Sequence, residues 1–460
     1  MDHTPEDSHV YQHSKKASAI HTFAPELLAN IFLHCLDDEY RHSTRCVSQA
    51  PLLLGRVCRT WRTISVSSPE LWSRIVMVES ELSQIDCKKD LIATKLWISR
   101  SGSIPLSICI DYDRTHHSEE IPHLLRLVAS HSWRWKDIKI TVLAGFGDIM
   151  LEPFQTGRMP QLEYFDSTLL GPKQSKVGRP LCLSSAPRLQ VFRNIRAFGG
   201  GRIDFGGQTH HIKEIALEFE MGTTPEMPGL SLDDLLACLT NCPLIEQLYF
   251  PVTINVSNRR PQDTNSIVKL LHLRDLGLNL RPRIDPGFLF DILFLPALIS
   301  LYIFMEHYDD GYTDWAHLRS MLLRSRPQLQ HLRVAVPMTE ATLIESLSYI
   351  PSLISLRFDG VDCTDTLLNS LTLGKSDSTK NLCPSLQTID FGSGHFGNTF
   401  AFSTNAMMAM ILSRRQRMES TGGKALEAVL GGSFKFDSIS SNLDVAKCVD
   451  NGLKLGYGHL

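Results

Sequence analysis

From residue 135 onward one frame of apolar positions recurs, apolar-x-x-apolar-x-apolar. It reads WKDIKI (135–140), LEYFDS (162–167), LQVFRN (189–194), IKEIAL (212–217), IEQLYF (245–250), LRDLGL (273–278), LISLYI (298–303), LQHLRV (329–334), LISLRF (353–358) and LQTIDF (386–391). Successive frames begin 23 to 33 residues apart, usually with a proline two residues ahead of the first apolar position. Side chains alternate along a strand, so the last two apolar positions of each frame share one face. Stacking such strands in parallel buries those faces in a continuous core, where each Leu, Ile or Phe contributes roughly 1.5–3 kcal/mol before entropy costs. No single repeat is stable alone, and many are therefore needed. In two frames the last apolar slot holds Ser167 or Asn194, which predicts early repeats that are splayed or partly exposed.

The segments between frames change period. LSLDDLLACLTNC (230–242) places Leu232, Leu235, Leu236 and Leu239 on one helical side, and WAHLRSMLLRSR (315–326) and ATLIESLSYI (341–350) follow the same rule. Pro243, Pro327 and Pro351 end these helices just before the next strand. The spacing is near that of leucine-rich repeats but less regular.

The N-terminal part has a different pattern. In PELLANIFLHCL (25–36), Leu27, Leu28, Ile31, Phe32, Cys35 and Leu36 recur at three- and four-residue steps, with Pro25 suited to the first helical position and Glu26 to the positive end of the dipole. A polar stretch (37–50) follows. Leu54, Val57, Cys58, Trp61 and Ile64 then mark a second helical face, ended by a stop at Ser67–Glu70, where Ser68 is the expected N-cap of a further turn and Pro69 its first residue. Helices this short bury little area by themselves, so their spare apolar surface needs a partner or the following domain.

Composition narrows the class. The length of 460 residues suggests two to four domains unless a repeat array runs as one body. Apolar residues are 43% and charged residues 21%, as in folded soluble proteins. Lys plus Arg (46) nearly balance Asp plus Glu (49), so nothing in the bulk charge calls for nucleic acid or membrane as partner. No apolar h-region opens the chain and no run reaches membrane-spanning length. Eleven cysteines without a CxxC pair argue against a disulfide framework and for a reducing, intracellular location, in cytoplasm and/or nucleus. Cys35 and Cys58, in apolar helical patterns, are expected to be buried thiols.

The N-terminal pattern resembles the F-box. That module opens Leu-Pro-x-Glu-(Leu/Ile)-(Leu/Ile)-x-x-Ile-Phe, continues Val-Cys-(Arg/Lys)-x-Trp-Arg and ends near Pro-x-Leu-Trp. The corresponding residues are Glu26, Leu27, Leu28, Ile31 and Phe32, then Val57, Cys58, Arg59, Trp61 and Arg62, then Pro69, Leu71 and Trp72; the Leu-Pro opening is replaced by Phe23-Ala24. The stretches ISRSGSIPLSI (98–108), SHSWRWKDIKI (130–140) and ILSRRQRM (411–418) are similar to those flanking the repeats in fungal F-box proteins. The resemblance implies an α/β fold: a three-helix F-box followed by an irregular leucine-rich-repeat-like solenoid with one parallel strand per repeat. It divides the chain into a disordered tail (1–22), the F-box (23–75) and the repeat domain (76–460). It implies docking to a Skp-family adaptor, and through it to a cullin, with Pro25, Leu27, Leu28, Ile31, Leu54 and Val57 on the docking face. Trp61 and Trp72 then anchor the module's own core. The function implied is that of a non-catalytic substrate-recognition subunit of an SCF-type ubiquitin ligase whose repeats hold a target protein. A repeat scaffold without a ligase role is the alternative.

Other constellations are weaker. Gly392-Ser393-Gly394-His395-Phe396-Gly397 spells GxGxxG, but the helix a dinucleotide site needs does not start at that loop, which favours a return loop. The Asp111, Asp113, His116, His117, Glu119, Glu120 cluster lacks the glycine and the final glutamate of a calcium loop and reads as a solvated loop. Cys238 and Cys242 have no second ligand pair and read as packing. Arg414, Arg415 and Arg417 read as a solvated helical face. No GxSxG, Cys/His or kinase signature is present, so no catalytic residue, cofactor or metal site is expected.

The position between the last two apolar slots faces the exposed side of the array: Asp166, Arg193, Ala216, Tyr249, Gly277, Tyr302, Arg333, Arg357 and Asp390. Tyr and Arg dominate protein-binding hot spots, which makes Tyr249, Tyr302, Arg333 and Arg357 the candidate target-binding residues. His331, just before Arg333 on the same strand, is expected to lean the other way.

Overall fold

The computed structural model describes residues 20, 23–36, 42–78, 86–112, 119–171, 181–195, 202–218, 230–253, 267–281, 284–306, 314–374, 381–392, 400–421, 424–431 and 436–456. The chain divides into two compact units, 1–109 and 110–460.

In the first unit, helix Pro25–Leu33 turns Leu28 and Phe32 inward, one helical turn apart. The second helical pattern is not one helix. It breaks into Leu54–Val57 and Arg59–Ser67 at Cys58, whose backbone is extended and whose sulfur accepts a hydrogen bond from the Trp61 amide at 3.4 Å. The polar cap satisfies a free amide of the restarted helix and turns Val57 away from the face of Leu54 and Ile64. The cysteine expectation changes accordingly: Cys58 is half-buried as a cap and Cys35 is exposed at the helix end. Ser68 does not cap the next turn with its side chain; its hydroxyl instead donates back to the Ile64 carbonyl at 2.8 Å.

Trp72 closes this unit's interior. Its indole N–H donates to the Ser65 carbonyl at 2.7 Å, its ring meets Trp97 edge-on at 4.6 Å, and the Arg100 guanidinium covers it at 4.2 Å. Trp97 comes from helix Cys87–Arg100, which Asp86 caps through the Lys89 amide. The turn at Ser101–Ser103, with Gly102 at φ +55°, leads into strand Leu106–Asp111, which lies beside strand Arg74–Met77.

The second unit is mixed α/β around an open parallel sheet. Its strands follow chain order: Trp135–Leu143, Tyr164–Leu170, Val191–Ile195, Glu214–Glu218, Gln247–Val252, Asp275–Leu280, Ser300–Met305, His331–Ala335, Ser355–Asp359, Thr388–Asp390, Ala428–Leu430 and Lys454–Gly456. The middle apolar position of every frame seen in the sequence lies on one of these strands and in register. Ile138, Phe165, Phe192, Ile215, Leu248, Leu276, Leu301, Leu332, Leu356 and Ile389 form one continuous row of partners, all buried. Helices Leu232–Asn241, His317–Ser325 and Glu340–Ser348 fall where the helical period and the prolines placed them. Ser231 and Asp234 form a reciprocal capping box on the first of these.

Sequence expectations about packing fail at several places within this unit. The early strands are not splayed, since Ser167 and Asn194 are paired neighbours at 1% and 0% exposure. Beside them Phe165 and Phe192 stack at 5.6 Å, and Phe154 meets both edge-on at 4.9 and 5.5 Å. The area buried by these rings outweighs the cost of two buried polar groups. Arg414 is not solvated either. It is 1% exposed and donates to the carbonyls of Leu371, Cys383 and Leu382 at 2.8, 2.9 and 2.8 Å. Its fork thus terminates helix Asp365–Leu371 and holds the left-handed turn at Cys383 (φ +44°). Burial lowers its pKa to about 10, so it still carries its charge at neutral pH. Arg415 likewise spans the carbonyls of Leu426, Cys448 and Asn451, and the Arg417 side chain lies outside the described residues.

Candidate interaction surfaces

In the first unit, the six residues expected to dock an adaptor separate by alternation on their helices. Pro25, Leu27, Ile31 and Val57 face outward, with Leu27 55%, Ile31 39% and Val57 57% exposed. Leu28 and Leu54 face the interior, at 2% and 5%. Phe23, which stands in the opening of the matched pattern, and Leu53 are further exposed apolar residues outside the six expected to dock. Trp61 packs on Phe32 with ring centroids 4.8 Å apart, which makes it a support for the helix that carries Leu27 and Ile31.

On the open face of the second unit's sheet, the residues between the buried rows form a second ladder. Asp166, Arg193, Ala216, Tyr249, Gly277, Tyr302, Arg333, Arg357 and Asp390 are successive register partners, on strands about 4.8 Å apart. The ladder has two chemically distinct ends. At the early end, Arg193 makes paired hydrogen bonds to Glu214 and lies 3.7 Å from Asp166, which accepts from the Tyr164 hydroxyl at 3.0 Å. Burial and the Asp166 carboxylate hold the Tyr164 phenol well above its usual range, and Glu214 does the same for the Arg193 guanidinium. This is a closed network in which every charge has a partner.

At the later end the four expected residues converge. Tyr249, Tyr302, Arg333 and Arg357 line one cavity of about 210 Å³. Gly277 lies between Tyr249 and Tyr302 on the ladder: a Cβ there would run into the Tyr249 ring, so the missing side chain lets that ring lie across the strand. The Arg333 guanidinium lies 4.9 Å from the Tyr302 ring centroid. Arg357 faces Asp390 at 3.3 Å and Asp359 at 3.9 Å. Burial raises the Tyr302 phenol, against the lowering effect of Arg333 and Arg357, and keeps it a neutral hydroxyl.

His331 also lines this cavity, contrary to the expectation that it leans away. It is two positions before Arg333, and alternation returns it to the same face. Asp390 and the hydroxyls of Ser300, Ser355 and Thr388 complete the polar lining. These short side chains give no hot-spot signal in a sequence, although their places in the frame identify them. No protein-family model matches the chain, and no curated protein is similar enough to it in sequence to count as a relative.

The remaining constellations separate in the same way. Of the glycine motif only Gly392 is described. Its φ of +73° and the Asp359 carboxylate packed against it leave no room for a side chain, and its amide donates to Asp390 at 2.9 Å. Residues 393–397 lie outside the described residues, as do Asp113, His116 and His117. Cys238 and Cys242 are buried, and desolvation raises both thiols, Cys242 to about 12. Among the described residues no group of three or more His, Cys, Asp or Glu is placed to hold a metal ion, and no helix is long and apolar enough to cross a membrane.

Proposed function

We propose that this protein is a non-catalytic recruiting subunit of an SCF-type ubiquitin ligase. In this reading the N-terminal unit is an F-box that docks a Skp-family adaptor and, through it, a cullin. The second unit is an irregular leucine-rich-repeat-like solenoid that holds a target protein on its open sheet face. The chain supplies proximity, and the transfer chemistry belongs to its partners.

The observation that carries the reading is the outward set Leu27, Ile31 and Val57. Large apolar side chains on short helices are normally turned inward, and these three keep more than a third of their surface in solvent at positions where the F-box resemblance puts docking residues. The convergence of Tyr249, Tyr302, Arg333 and Arg357 on one cavity supports the capture half, because Tyr and Arg favour binding centres.

One observation favours the scaffold alternative. Leu28 and Leu54 are interior residues, so the docking surface is smaller than the resemblance implies. Capture of a purified Skp-family adaptor by the full chain decides between the two. Wild-type binding that Leu27→Asp plus Val57→Asp abolishes supports the ligase reading. A wild type that does not bind adaptor leaves a target-binding scaffold.

A further inference from the structure

Along the exposed ladder two arginines are matched by acids and one is not. Arg193 is held by Glu214 and Asp166, and Arg357 by Asp390 and Asp359. Arg333 lies between Tyr302 and Arg357, and its side chain forms no ion pair and no hydrogen bond among the described residues; its guanidinium rests on the Tyr302 ring. With Tyr249 and Tyr302 it lines the cavity.

We propose that this cavity receives a single carboxylate of the captured target, paired with Arg333 and carried on an apolar group that lies against Tyr249 and Tyr302. The proposal rests on the reading of the sheet face as the target-binding surface and specifies what that surface reads.

The size and charge of the site select this chemistry. At about 210 Å³ the cavity is smaller than the roughly 300–1,000 Å³ of pockets that enclose a drug-sized ligand. It suits the tip of a polypeptide side chain or a chain end. A carboxylate has one charge and two coplanar oxygens, which match one guanidinium fork. A phosphate carries about −1.5 to −2 and is usually met by several arginines. Here the second guanidinium is already neutralised, and Asp390 and Asp359 at that edge repel a doubly charged group. Among the neighbouring groups, Ser300 and Ser355 offer hydroxyls that add hydrogen bonds without charge, and His331 offers an imidazole.

The test uses the immobilised full-length protein and three matched synthetic peptide pools, with bound peptides quantified by mass spectrometry. One pool carries Asp and Glu with free C-termini, the second is the same but C-terminally amidated, and the third has phosphoserine in place of the acids with amidated ends. The wild type is expected to enrich carboxylate-bearing peptides, and Arg333→Gln to reduce that enrichment about tenfold or more. Loss on amidation identifies a chain end as the source, and persistence identifies an acidic side chain. Asp390→Asn, which removes the nearer of the two acids that face Arg357, is expected to shift selection toward the phosphopeptide pool. If the wild type prefers phosphopeptides, or if Arg333→Gln changes nothing while Tyr302→Ala abolishes binding, the face captures targets but the carboxylate assignment is wrong. Enrichment insensitive to both variants, or no enrichment in any pool, overturns the assignment together with the capture reading.

Discussion

The Arg333 guanidinium lies 4.9 Å from the centroid of the Tyr302 ring on the adjacent strand. A cation held against an aromatic face at a partly exposed site contributes about 0.5–1 kcal/mol. The pairing therefore matters more for orientation than for stability. Tyr302→Leu is expected to lower stability by about 1 kcal/mol or less while weakening target capture, because Arg333 loses the surface that aims it. Denaturant midpoints and capture measured on the same preparation check both halves.

Gly277 makes a related prediction. The ring atoms that a new Cβ would meet belong to Tyr249, a side chain 37% exposed at the surface, so the ring must move to admit it. Gly277→Ala should therefore change stability by less than about 1 kcal/mol but displace Tyr249 from the cavity and reduce capture. A large loss of stability with capture intact would show that the glycine serves the strand and not the site.

The buried pair Ser167 and Asn194 has no hydrogen-bond partner among the described residues for the Ser167 hydroxyl or for either polar atom of the Asn194 amide. An unsatisfied buried polar group costs about 1–3 kcal/mol. Ser167→Ala combined with Asn194→Leu is expected to stabilise the protein by about 1–2 kcal/mol, read as a higher denaturant midpoint at unchanged slope. Destabilisation would mean that the pair is bonded to ordered water.

Arg414 leads to the opposite expectation. Removing a guanidinium that satisfies three carbonyls leaves them buried and unpaired, so Arg414→Met should cost about 3 kcal/mol or more. Arg414→Lys should recover only part of it, since an ammonium cannot reproduce the planar fork.

The spacing of apolar residues made the parallel sheet legible in the sequence. The row from Ile138 to Ile389 is continuous because alternation along a strand leaves no freedom about which face each residue occupies. The last two strands were missed because their frames are incomplete: Gly431 stands in the final slot after Leu426 and Val429, and Lys454–Gly456 is too short to show the pattern. Within helices, apolarity alone did not separate Leu27 from Leu28, nor Leu54 from Val57. The direction each takes depends on the break at Cys58, where a thiol takes the place of the usual hydroxyl or carboxylate cap, and on the packing of Phe32 against Trp61, which is not a local property. Arg414 was misread for the same reason, because its partners lie 31 to 43 residues away in the chain.

The most direct test of the central claim is binding of a purified Skp-family adaptor to the full-length protein, with folding monitored in parallel. The wild type should bind. Leu27→Asp plus Val57→Asp should abolish binding while leaving the unfolding free energy from denaturant titration within about 0.5 kcal/mol of wild type, since both side chains already face solvent. No adaptor binding by a folded wild type, or undiminished binding by the double variant, would contradict the account.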